Sequence, residues 1–322
     1  MKAIIQDRYG ASNVLNLREI ERPAAGPGTV LVRVRAAAVN AHDWHIMRGD
    51  PYFIRLTAGL RRPRDRIRGR DFSGQVESVG PGGSTLRPGD EVFGETAGTF
   101  AEYLSVPEEQ LAPKPANLTF EQAAAVPLAA NAALLGLRDL GRVRPGQAVL
   151  INGAAGGVGT FAVQIAKALG AEVTAVCSAG NADLVRSIGA DHVVDYASAD
   201  FTTGGPRYDL ILDLVANRSL AHYRRALTPQ GTLVLSGGGG GRWFGPVGLI
   251  LRAIVVSPLV RQALRPLAVQ PRRENLLTLT ELIEAGQITP VIDRTYPLAE
   301  APAAIRYVES RHARAKVVIT VP

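Results

Sequence analysis

The chain has 322 residues, of which 46% are hydrophobic and 20% are charged, and its formal net charge is +7. This length and composition are typical of a globular protein with two domains, and they exclude a disordered chain. The amino-terminal sequence MKAIIQDRYG lacks the apolar stretch of a signal peptide, and an arginine and two prolines interrupt the longest apolar segment, PVGLILRAIVVSPLV. We therefore expect a cytoplasmic protein that makes no membrane contact.

The single cysteine and the surplus of arginine narrow the possible functions. One thiol, Cys177, excludes an intrachain disulfide and any zinc site that requires two thiolates. Seven arginines crowd residues 55–70, RLTAGLRRPRDRIRGR, which raises the alternative of nucleic-acid binding. The segment also holds an aspartate and a proline, and it has no aromatic residues for base stacking. We favour a solvated basic loop and expect no nucleic-acid partner.

Short β-rich segments separated by turn sequences occupy residues 2 to 120. The predicted strands are KAIIQ, TVLVRVRAAAVN, GQVESVG, DEVFGET and AEYLSV, and the turns between them include AAGPGT, GPGGST and RPGD. This pattern indicates an irregular β-rich domain. The next segment, NLTFEQAAAVPLAANAALLGLRDL, reads as helix.

Strands and helices then alternate along the chain. The segments AVLIN, 158–169, EVTAVCS, ADLVRSIG, HVVDY, YDLILDLV, LAHYRRAL and TLVLSG follow one another in this way. Buried apolar strands that alternate with amphipathic helices predict an α/β domain with a parallel sheet covered on both faces. The last part, with RENLLTLTELIEAG, VIDRTY, APAAIRYVES and KVVITV, returns to a mixed pattern.

A glycine-rich turn joins the first of these strands to its helix. Four glycines fall within the seven residues 153–159, and they match the dinucleotide-binding fingerprint as Ala154-x-Gly156-x-x-Gly159. Free N–H groups at the start of a helix favour an anion, and residues without side chains allow a pyrophosphate to approach the backbone. The flanking strand and helix make dinucleotide binding the favoured interpretation, and a purely structural tight turn is the alternative.

The end of the second strand predicts which dinucleotide is bound. Enzymes that select NAD usually place an acidic residue there to bind the ribose, whereas this chain has Cys177 and Ser178. Ser178, Asn181 and, after the third strand, Tyr196 can donate hydrogen bonds to the 2′-phosphate of NADPH. The alternative is that they are ordinary polar loop residues.

Motifs spread over essentially the whole chain carry a resemblance to a known family. They are AAAVNAHDWHIMRGD, GRDFSGQVESVG, RPGDEVFG, FAEYLSVPEEQLAPKPANLTFEQAAAVPLA, RPGQAVLINGAAGGVGTFAVQIAKALGAEV and LVRSIGADHVVDY. In this order and spacing they resemble the medium-chain dehydrogenase/reductase superfamily, in its zinc-independent quinone oxidoreductase branch. The resemblance implies a GroES-like β domain at 1–122 and 272–322, a Rossmann domain at 123–271, a substrate cleft between the two, and a homodimer.

Departures from the zinc alcohol dehydrogenases of that superfamily imply an enzyme without a metal. Asn40 stands where those enzymes have a catalytic cysteine, Arg70 stands where they have a histidine, and the lobe of four structural cysteines is missing. A ligand cluster of His42, Asp43 and His45 is a possibility that we do not favour. A quinone or enone accepts a hydride without a metal because it already delocalises the arriving charge.

The resemblance therefore implies hydride transfer from NADPH to a quinone or an α,β-unsaturated carbonyl. The implied catalytic residues, which line the nicotinamide or deliver a proton, are Asn40, Asp43, His45, Tyr52 and Asn131. For Asp43 and for His45, the alternative interpretation is a purely structural role. Two other functions stay open, namely an alcohol or aldehyde dehydrogenase for simple carbonyls, and an NADPH-binding protein that contacts nucleic acid through its arginines.

The predicted cofactor site combines the glycine loop with the ends of the following strands. It comprises Ala155, Gly156, Gly157, Val158, Gly159, Ser178, Asn181, Tyr196, Val215, Ser236, Gly237 and Lys316. Relatives often carry Arg or Lys just after the second strand, where this chain has Gly180 and Asn181. Lys316 is the predicted substitute for that missing charge on the 2′-phosphate.

Overall fold

A computed structural model of the chain describes residues 1–82, 84–236, 247–310 and 313–322. Its strands are β1 Lys2–Gln6, β2 Leu15–Glu19, β3 Thr29–Val39, β4 Asp71–Val79, β5 Glu91–Glu95, β6 Tyr103–Pro107, β7 Leu111–Pro113, β8 Ala148–Asn152, β9 Glu172–Cys177, β10 His192–Asp195, β11 Tyr208–Asp213, β12 Leu227–Leu235, β13 Ala263–Pro266, β14 Ile292–Pro297 and β15 Lys316–Thr320.

The helices are distributed over the whole chain. They are α1 Ala41–Arg48, α2 Arg55–Ala58, α3 Phe120–Ala124, α4 Pro127–Leu134, α5 Gly157–Ala168, α6 Ala182–Ser187, α7 Leu220–Ala226, α8 Val247–Val256, α9 Arg273–Glu284 and α10 Ala301–Glu309, with a π-helical segment at Leu135–Leu140. Short 3₁₀ turns lie at Ser12–Val14, Tyr52–Ile54, Glu108–Gln110, Ala179–Asn181, Ser257–Leu259 and Leu298–Glu300. No helix in the described ranges is long and apolar enough to cross a membrane.

The chain divides into two units, which are described separately. Unit 1 comprises Met1–Asn131 and Gln270–Pro322, and unit 2 comprises Ala132–Val269. In unit 1 a seven-stranded sheet has the order β14-β15-β3-β4-β5-β7, with β6 also paired to β3, and β1 pairs with β2 in a two-stranded sheet. Alternating apolar residues of β3 and β4, such as Val32, Val34 and Phe72, are fully buried in its core. This confirms the predicted β-rich domain.

Two details of the unit 1 sheet matter for the site. β15, from the carboxy-terminal part of the chain, pairs antiparallel with β3, and Val317 lies opposite Val39. On the other side of β3, Asp71 at the start of β4 lies opposite Ala38. The residues at the end of β3 and at the beginnings of β4 and β15 therefore meet at one end of the sheet.

Unit 2 is built on a six-stranded parallel sheet with the order β10-β9-β8-β11-β12-β13. Numbered within the unit, this order is 3-2-1-4-5-6, the doubly wound arrangement of dinucleotide-binding domains. The strands β8 and β11 are almost entirely buried, which explains the apolar runs VLI in β8 and LIL in β11. The predicted parallel α/β sheet is confirmed. Its sixth strand was not predicted, because the four residues of β13 form no recognisable pattern.

Candidate functional site

A buried polar cluster lies at the end of the unit 1 sheet where β3, β4 and β15 meet. Asn40 follows β3, and its side-chain amide donates to Asp71 Oδ2 at 2.9 Å. Lys316 Nζ donates to Asn40 Oδ1 at 2.6 Å and lies 3.4 Å from Asp71 Oδ2. The backbone N–H of Leu128 donates to Asp71 Oδ1 at 3.0 Å. An ammonium, an amide and a carboxylate thus satisfy one another inside the protein.

Burial controls the electrostatics of this cluster. Desolvation raises the pKa of Asp71, and the positive charge of Lys316 opposes that shift. The Lys316 side chain is 2% exposed, so its charge is compensated by Asp71 rather than by water. Next to the cluster, Arg70 donates to Glu95 Oε1 at 2.9 Å, and burial raises the pKa of Glu95.

The predicted catalytic residue Asp43 is buried, and its pKa is shifted. It lies in the first turn of α1, where its Oδ2 accepts from the Asn40 backbone N–H at 2.7 Å. Its exposed fraction is 2%. Desolvation raises the pKa of Asp43 to about 7, and the Asn40 hydrogen bond partly opposes the shift. This carboxyl group can therefore hold or release a proton near neutral pH.

A cavity of about 230 Å³ in unit 1 opens beside Asp43. Its lining mixes charged, polar and small apolar side chains from α1, α2 and the segment that leads into β4. These residues are His42, Asp43, Ile46, Thr57, Ala58, Asp65, Ile67, Arg68, Gly69, Arg70 and Ala97. Several basic groups and one buried carboxyl therefore converge on a single small space, a combination that is typical of ligand sites.

His42 and Arg68 are unusual among the lining residues. The Nδ1 atom of His42 and the Nε atom of Arg68 are buried without a hydrogen-bond partner among the described residues. Desolvation, with the charges of Arg70 and Arg68, lowers the pKa of His42 to about 4, so its imidazole is neutral at pH 7. Desolvation also lowers the pKa of Arg68, an effect that Asp43 and Asp65 oppose.

The arginine-rich segment is thus not the uniformly solvated loop that the sequence suggested. Arg68 is 4% exposed, Arg66 forms an ion pair with Asp7, and Arg70 pairs with Glu95. The physical reason is that two backbone hydrogen bonds hold Arg68 in the β-rich unit. The Arg68 N–H donates to the Ile4 carbonyl, and the Arg68 carbonyl accepts from the Phe100 N–H. Only part of the segment remains as exposed basic surface.

Two further predicted catalytic residues lie near this cavity in the chain but do not line it. His45 Nδ1–H donates a 2.7 Å hydrogen bond to the Asp50 backbone carbonyl, and the His45 ring stacks on Trp44. The ring of Tyr52 packs under the guanidinium of Arg55. Their roles in proton delivery stay predictions.

Asn131 is placed within unit 1 by two hydrogen bonds. Its amide donates to the Gln270 carbonyl at 3.0 Å, and its Oδ1 accepts from Asn275 at 2.8 Å. With an exposed fraction of 1%, the side chain joins two distant segments of the chain. These bonds account for its burial structurally, and its predicted place at the nicotinamide stays a prediction.

The glycine-rich loop of unit 2 connects β8 to α5. The Gly156 N–H bonds to the Gly153 carbonyl, and the Thr160 N–H bonds to the Gly156 carbonyl. The N–H groups in the first turn of α5 lie at the positive end of the helix dipole. A Cβ on Gly159 would collide with the Gly153 carbonyl oxygen, whereas a Cβ on Gly156 would come no closer than 3.3 Å to it. Gly159 thus serves helix packing, and the space above Gly156 is open to a ligand.

The ends of β9 and β10 bring the predicted ribose-binding residues together. Ser178 follows β9, and Asn181 Nδ2 donates to Ser178 Oγ at 3.0 Å. Asn181 Oδ1 is buried without a partner among the described residues. Tyr196 follows β10, and its backbone N–H donates to the Cys177 carbonyl at 3.2 Å. These residues and the loop fit a dinucleotide by their chemistry, with neutral donors where a phosphate would lie.

Other predicted cofactor residues have mixed outcomes. The backbone N–H of Ser236 donates to the Asp213 carbonyl at 2.9 Å, at the carboxyl end of β11. The Val215 side chain fits against Gly153, where a Cβ would approach Val215 Cγ2 to 2.8 Å. Gly237 lies outside the described residues. The prediction for Lys316 requires correction, because its ammonium is buried on Asn40 and Asp71 and is therefore not presented to a 2′-phosphate.

Several residues of the site were not predicted from the sequence. Asp71 lies within the motif GRDFSGQVESVG but was not predicted as a site residue, and Glu95 and Arg68 carry no motif of their own. Long-range strand pairing brings Asp71 and Glu95 to the Lys316 cluster, and backbone bonds to residues 4 and 100 place Arg68. Asp195, at the end of β10, was also missed, although its position opposite Cys177 was available from the predicted strand alternation. Its charge contributes to the raised pKa of the Cys177 thiol, after desolvation. Within the described ranges no group of three or more His, Cys, Asp or Glu is arranged to hold a metal ion.

Two family models match the chain, one in each half. The model for the alcohol dehydrogenase GroES-like domain matches residues 26–116, and the model for zinc-binding dehydrogenase matches residues 188–319.

Curated relatives match over nearly the whole chain. RTN4IP1, a mitochondrial NAD(P)H oxidoreductase of Mus musculus, is 33% identical over 362 residues, which cover 100% of this chain and 89% of the relative. A 2-methylene-furan-3-one reductase of Solanum lycopersicum is 32% identical over 334 residues, which cover 99% of this chain and 79% of the relative.

Solved structures share the fold over the same extent. The Escherichia coli quinone oxidoreductase complexed with NADPH superposes with a TM-score of 0.85 and 26% identity, and the match covers 99% of this chain and 100% of that one. An NAD-dependent alcohol dehydrogenase superposes with a TM-score of 0.87 and 29% identity, and the match covers 100% of both chains. The likeness therefore extends to proteins that differ in the reaction their names describe.

Proposed function

The chain belongs to the medium-chain dehydrogenase/reductase superfamily, and from that premise we propose that it reduces a quinone or an α,β-unsaturated carbonyl with NADPH, without zinc. That it is an NAD(P)H-dependent oxidoreductase follows from its relatives. The acceptor, the preference for NADPH and the independence of zinc are the proposed parts.

The observation that carries the proposal is the chemistry of the cluster around Lys316. By the resemblance of their motifs, Asn40 and Arg70 stand where the zinc enzymes of the superfamily have their cysteine and histidine ligands. Asn40 is engaged by Asp71 and Lys316, and Arg70 is engaged by Glu95. An amide is a poor zinc ligand, and a guanidinium cannot coordinate a cation. In place of a metal, this part of the protein holds the buried ammonium of Lys316.

The residues of this chain supply binding, orientation and a proton. NADPH, when bound, supplies the hydride. The first turn of α5 and the loop around Gly156 would hold the pyrophosphate, and Ser178, Asn181 and Tyr196 would donate to the 2′-phosphate. Asp43 lines the unit 1 cavity with a pKa raised to about 7. It is the proposed proton donor to the reduced acceptor, since its pKa matches neutral conditions.

The proposed independence of zinc predicts the acceptor class. A simple ketone must localise negative charge on one oxygen, which a metal or strong donor normally stabilises. A quinone or an enone spreads that charge over a conjugated system, so a neutral donor such as protonated Asp43 is sufficient.

The proposal is tested by following NADPH oxidation with a quinone, an enone and a simple ketone, before and after exhaustive treatment with a chelator. We expect reduction of the quinone and the enone, little reduction of the ketone, and no effect of the chelator. Activity that disappears on chelation and returns only with zinc would overturn the metal-free assignment. Preferential reduction of the ketone would support a simple-carbonyl dehydrogenase instead.

We also propose that the chain forms a homodimer in the cytoplasm. Leu251, Ile254 and Val255 of α8 and the nearby Leu259 are large apolar residues that are exposed in the single chain. They lie next to β13, which is the edge strand of its sheet. A second copy would cover this apolar surface. Light scattering should give twice the chain mass for the wild type and the monomer mass for Ile254→Glu/Val255→Glu, whereas a monomeric wild type would refute the dimer.

A further inference from the structure

The unit 1 cavity contains a buried cation whose charge and hydrogen-bond donors are not fully satisfied by its neighbours. Arg68 lines the cavity and is 4% exposed. No carboxylate lies within ion-pair distance of its guanidinium, and its buried Nε has no acceptor, among the residues that the structure describes. A buried charged group in this state carries a large desolvation cost unless a ligand or water satisfies it.

The other charged groups around the cavity do not cancel this charge. Arg70 is matched by Glu95 in an ion pair. Asp65 is exposed to solvent, and Asp43 uses one oxygen on the Asn40 backbone N–H. Because the pKa of Asp43 is about 7, its carboxyl group is only partly ionised near neutral pH, and His42 is uncharged. No full negative charge inside the cavity therefore balances the guanidinium of Arg68.

The size and chemistry of the cavity restrict the ligand. A volume of about 230 Å³ corresponds to roughly eight water molecules. That space suits a small organic acid and excludes a nucleotide or an isoprenoid tail within the cavity itself. A planar carboxylate matches the guanidinium fork of arginine, and His42 offers a second buried nitrogen without a partner.

We propose that this cavity binds a carboxylate through Arg68, so that the acceptor reduced by the chain is a small α,β-unsaturated carbonyl compound that also carries a carboxylate group. The reaction in this inference rests on the proposed function, whereas the binding does not. Reduction adds a hydride from NADPH to the β-carbon and a proton to the α-carbon, which yields the saturated keto acid and NADP⁺.

Binding is tested first with ligands that have no reducible carbon–carbon double bond. The probes are 4-oxopentanoate and its neutral amide, 4-oxopentanamide, titrated calorimetrically into the full chain in the presence of NADP⁺. We expect the carboxylate to bind at least about tenfold more tightly than the amide, because a charge-assisted bond to a buried partner is replaced by a neutral one. Equal affinities for the two probes in the wild type would overturn the proposal without any variant.

Substitutions then assign the effect to Arg68. Arg68→Met should lose the preference for the carboxylate, Arg68→Lys should keep part of it, and Arg64→Met is the matched control, since Arg64 is an exposed arginine of the same segment outside the cavity lining. Circular dichroism checks that each variant is folded. A preference that survives in Arg68→Met, or that is lost equally in Arg64→Met, would exclude a specific site. Tighter binding of inorganic phosphate than of 4-oxopentanoate would overturn the carboxylate assignment.

Turnover separates this inference from the proposed function. The substrates are trans-4-oxo-2-pentenoate and trans-4-oxo-2-pentenamide, and kcat/KM for the acid relative to the amide should fall about tenfold in Arg68→Met. Reduction of both at equal rates by the wild type would refute the carboxylate site and leave the reductase intact. Selective binding of 4-oxopentanoate without NADPH oxidation by any acceptor would refute the reductase and leave the site intact.

Discussion

Lys316 donates a 2.6 Å hydrogen bond to Asn40 across 276 positions of the chain. The same ammonium is the counter-charge of Asp71, whose carboxyl group is fully buried. The pair therefore joins the carboxy-terminal strand β15 to the beginning of β4 through electrostatics as well as through strand pairing.

Removing this ammonium should cost much of the stability of unit 1. Lys316→Met leaves the buried Asp71 carboxylate without a partner, which typically destabilises a protein by about 3–5 kcal/mol. Urea denaturation measures the effect, with exposed Arg314→Met as the control. Lys316→Met/Asp71→Asn should recover part of the loss, because neither charge then remains uncompensated. A Lys316→Met variant as stable as the wild type would show that the cluster is not held by charge.

Asp43 and His42 should change the pH dependence of stability in opposite directions. The folded-state pKa of Asp43 is raised from 3.8 to about 7, so its contribution to stability falls as pH rises from about 4 to 7. The folded-state pKa of His42 is lowered from 6.5 to about 4, so its contribution falls as pH decreases from about 6.5 to 4. At about 1.36 kcal/mol per pKa unit, the shift corresponds to about 4 kcal/mol for Asp43 and about 3 kcal/mol for His42.

The measurement is the free energy of unfolding of each variant relative to the wild type between pH 4 and 7. Relative to the wild type, Asp43→Asn should gain stability as pH rises, and His42→Gln should gain it as pH falls. Parallel pH profiles for the wild type and both variants would contradict the two pKa shifts.

The two glycines of the loop should respond differently to substitution. Gly156→Val places a side chain where the backbone leaves room, so the protein should fold but lose NADPH binding at least about a hundredfold. Gly159→Val should instead lower the melting temperature, since its Cβ collides with the Gly153 carbonyl. Fluorescence titration with NADPH and thermal melting measure the two effects. Normal NADPH affinity in folded Gly156→Val would place the pyrophosphate elsewhere.

The preference for NADPH over NADH should be modest. Ser178, Asn181 and Tyr196 offer neutral hydrogen bonds, each contributing about 1 kcal/mol, so the expected preference is roughly ten- to a hundredfold. Asn181→Lys should increase it, and Ser178→Asp should reverse it. The ratio of kcat/KM for the two cofactors, at one salt concentration, checks all three proteins. A wild type that prefers NADH would show that another group, such as the nearby Asp195, controls the ribose site.

The parallel sheet and the glycine loop could be predicted because their patterns are local. The strand VLIN, the glycines and the helix periodicity are contiguous in sequence, and the structure places them as β8 and α5. The capping signature Thr119-x-x-Gln122 is another local pattern, and it begins α3 through reciprocal hydrogen bonds.

The rest of the site depends on pairing between distant segments, for which the sequence carries no signal. Arg68 is one of seven arginines in a short segment, and nothing local distinguishes it from exposed Arg64. Its burial results from backbone bonds to residues 4 and 100. In the same way, the sequence around Lys316 does not show that β15 pairs with β3. This pairing buries the Lys316 ammonium against Asn40 and Asp71.

The interior position of β15 in its sheet determines the order in which the two units can complete folding during synthesis. Unit 2 is continuous from 132 to 269 and can complete its parallel sheet as soon as those residues have left the ribosome. Unit 1 cannot, because β15 lies between β14 and β3 and is made from residues 316–320. Until then residues 36–39 of β3 lack the strand that pairs with them on the side away from β4, and Asp71 lacks the Lys316 ammonium. The nascent chain therefore passes through a stage in which the parallel sheet of unit 2 is complete while unit 1 still exposes part of a strand without its partner.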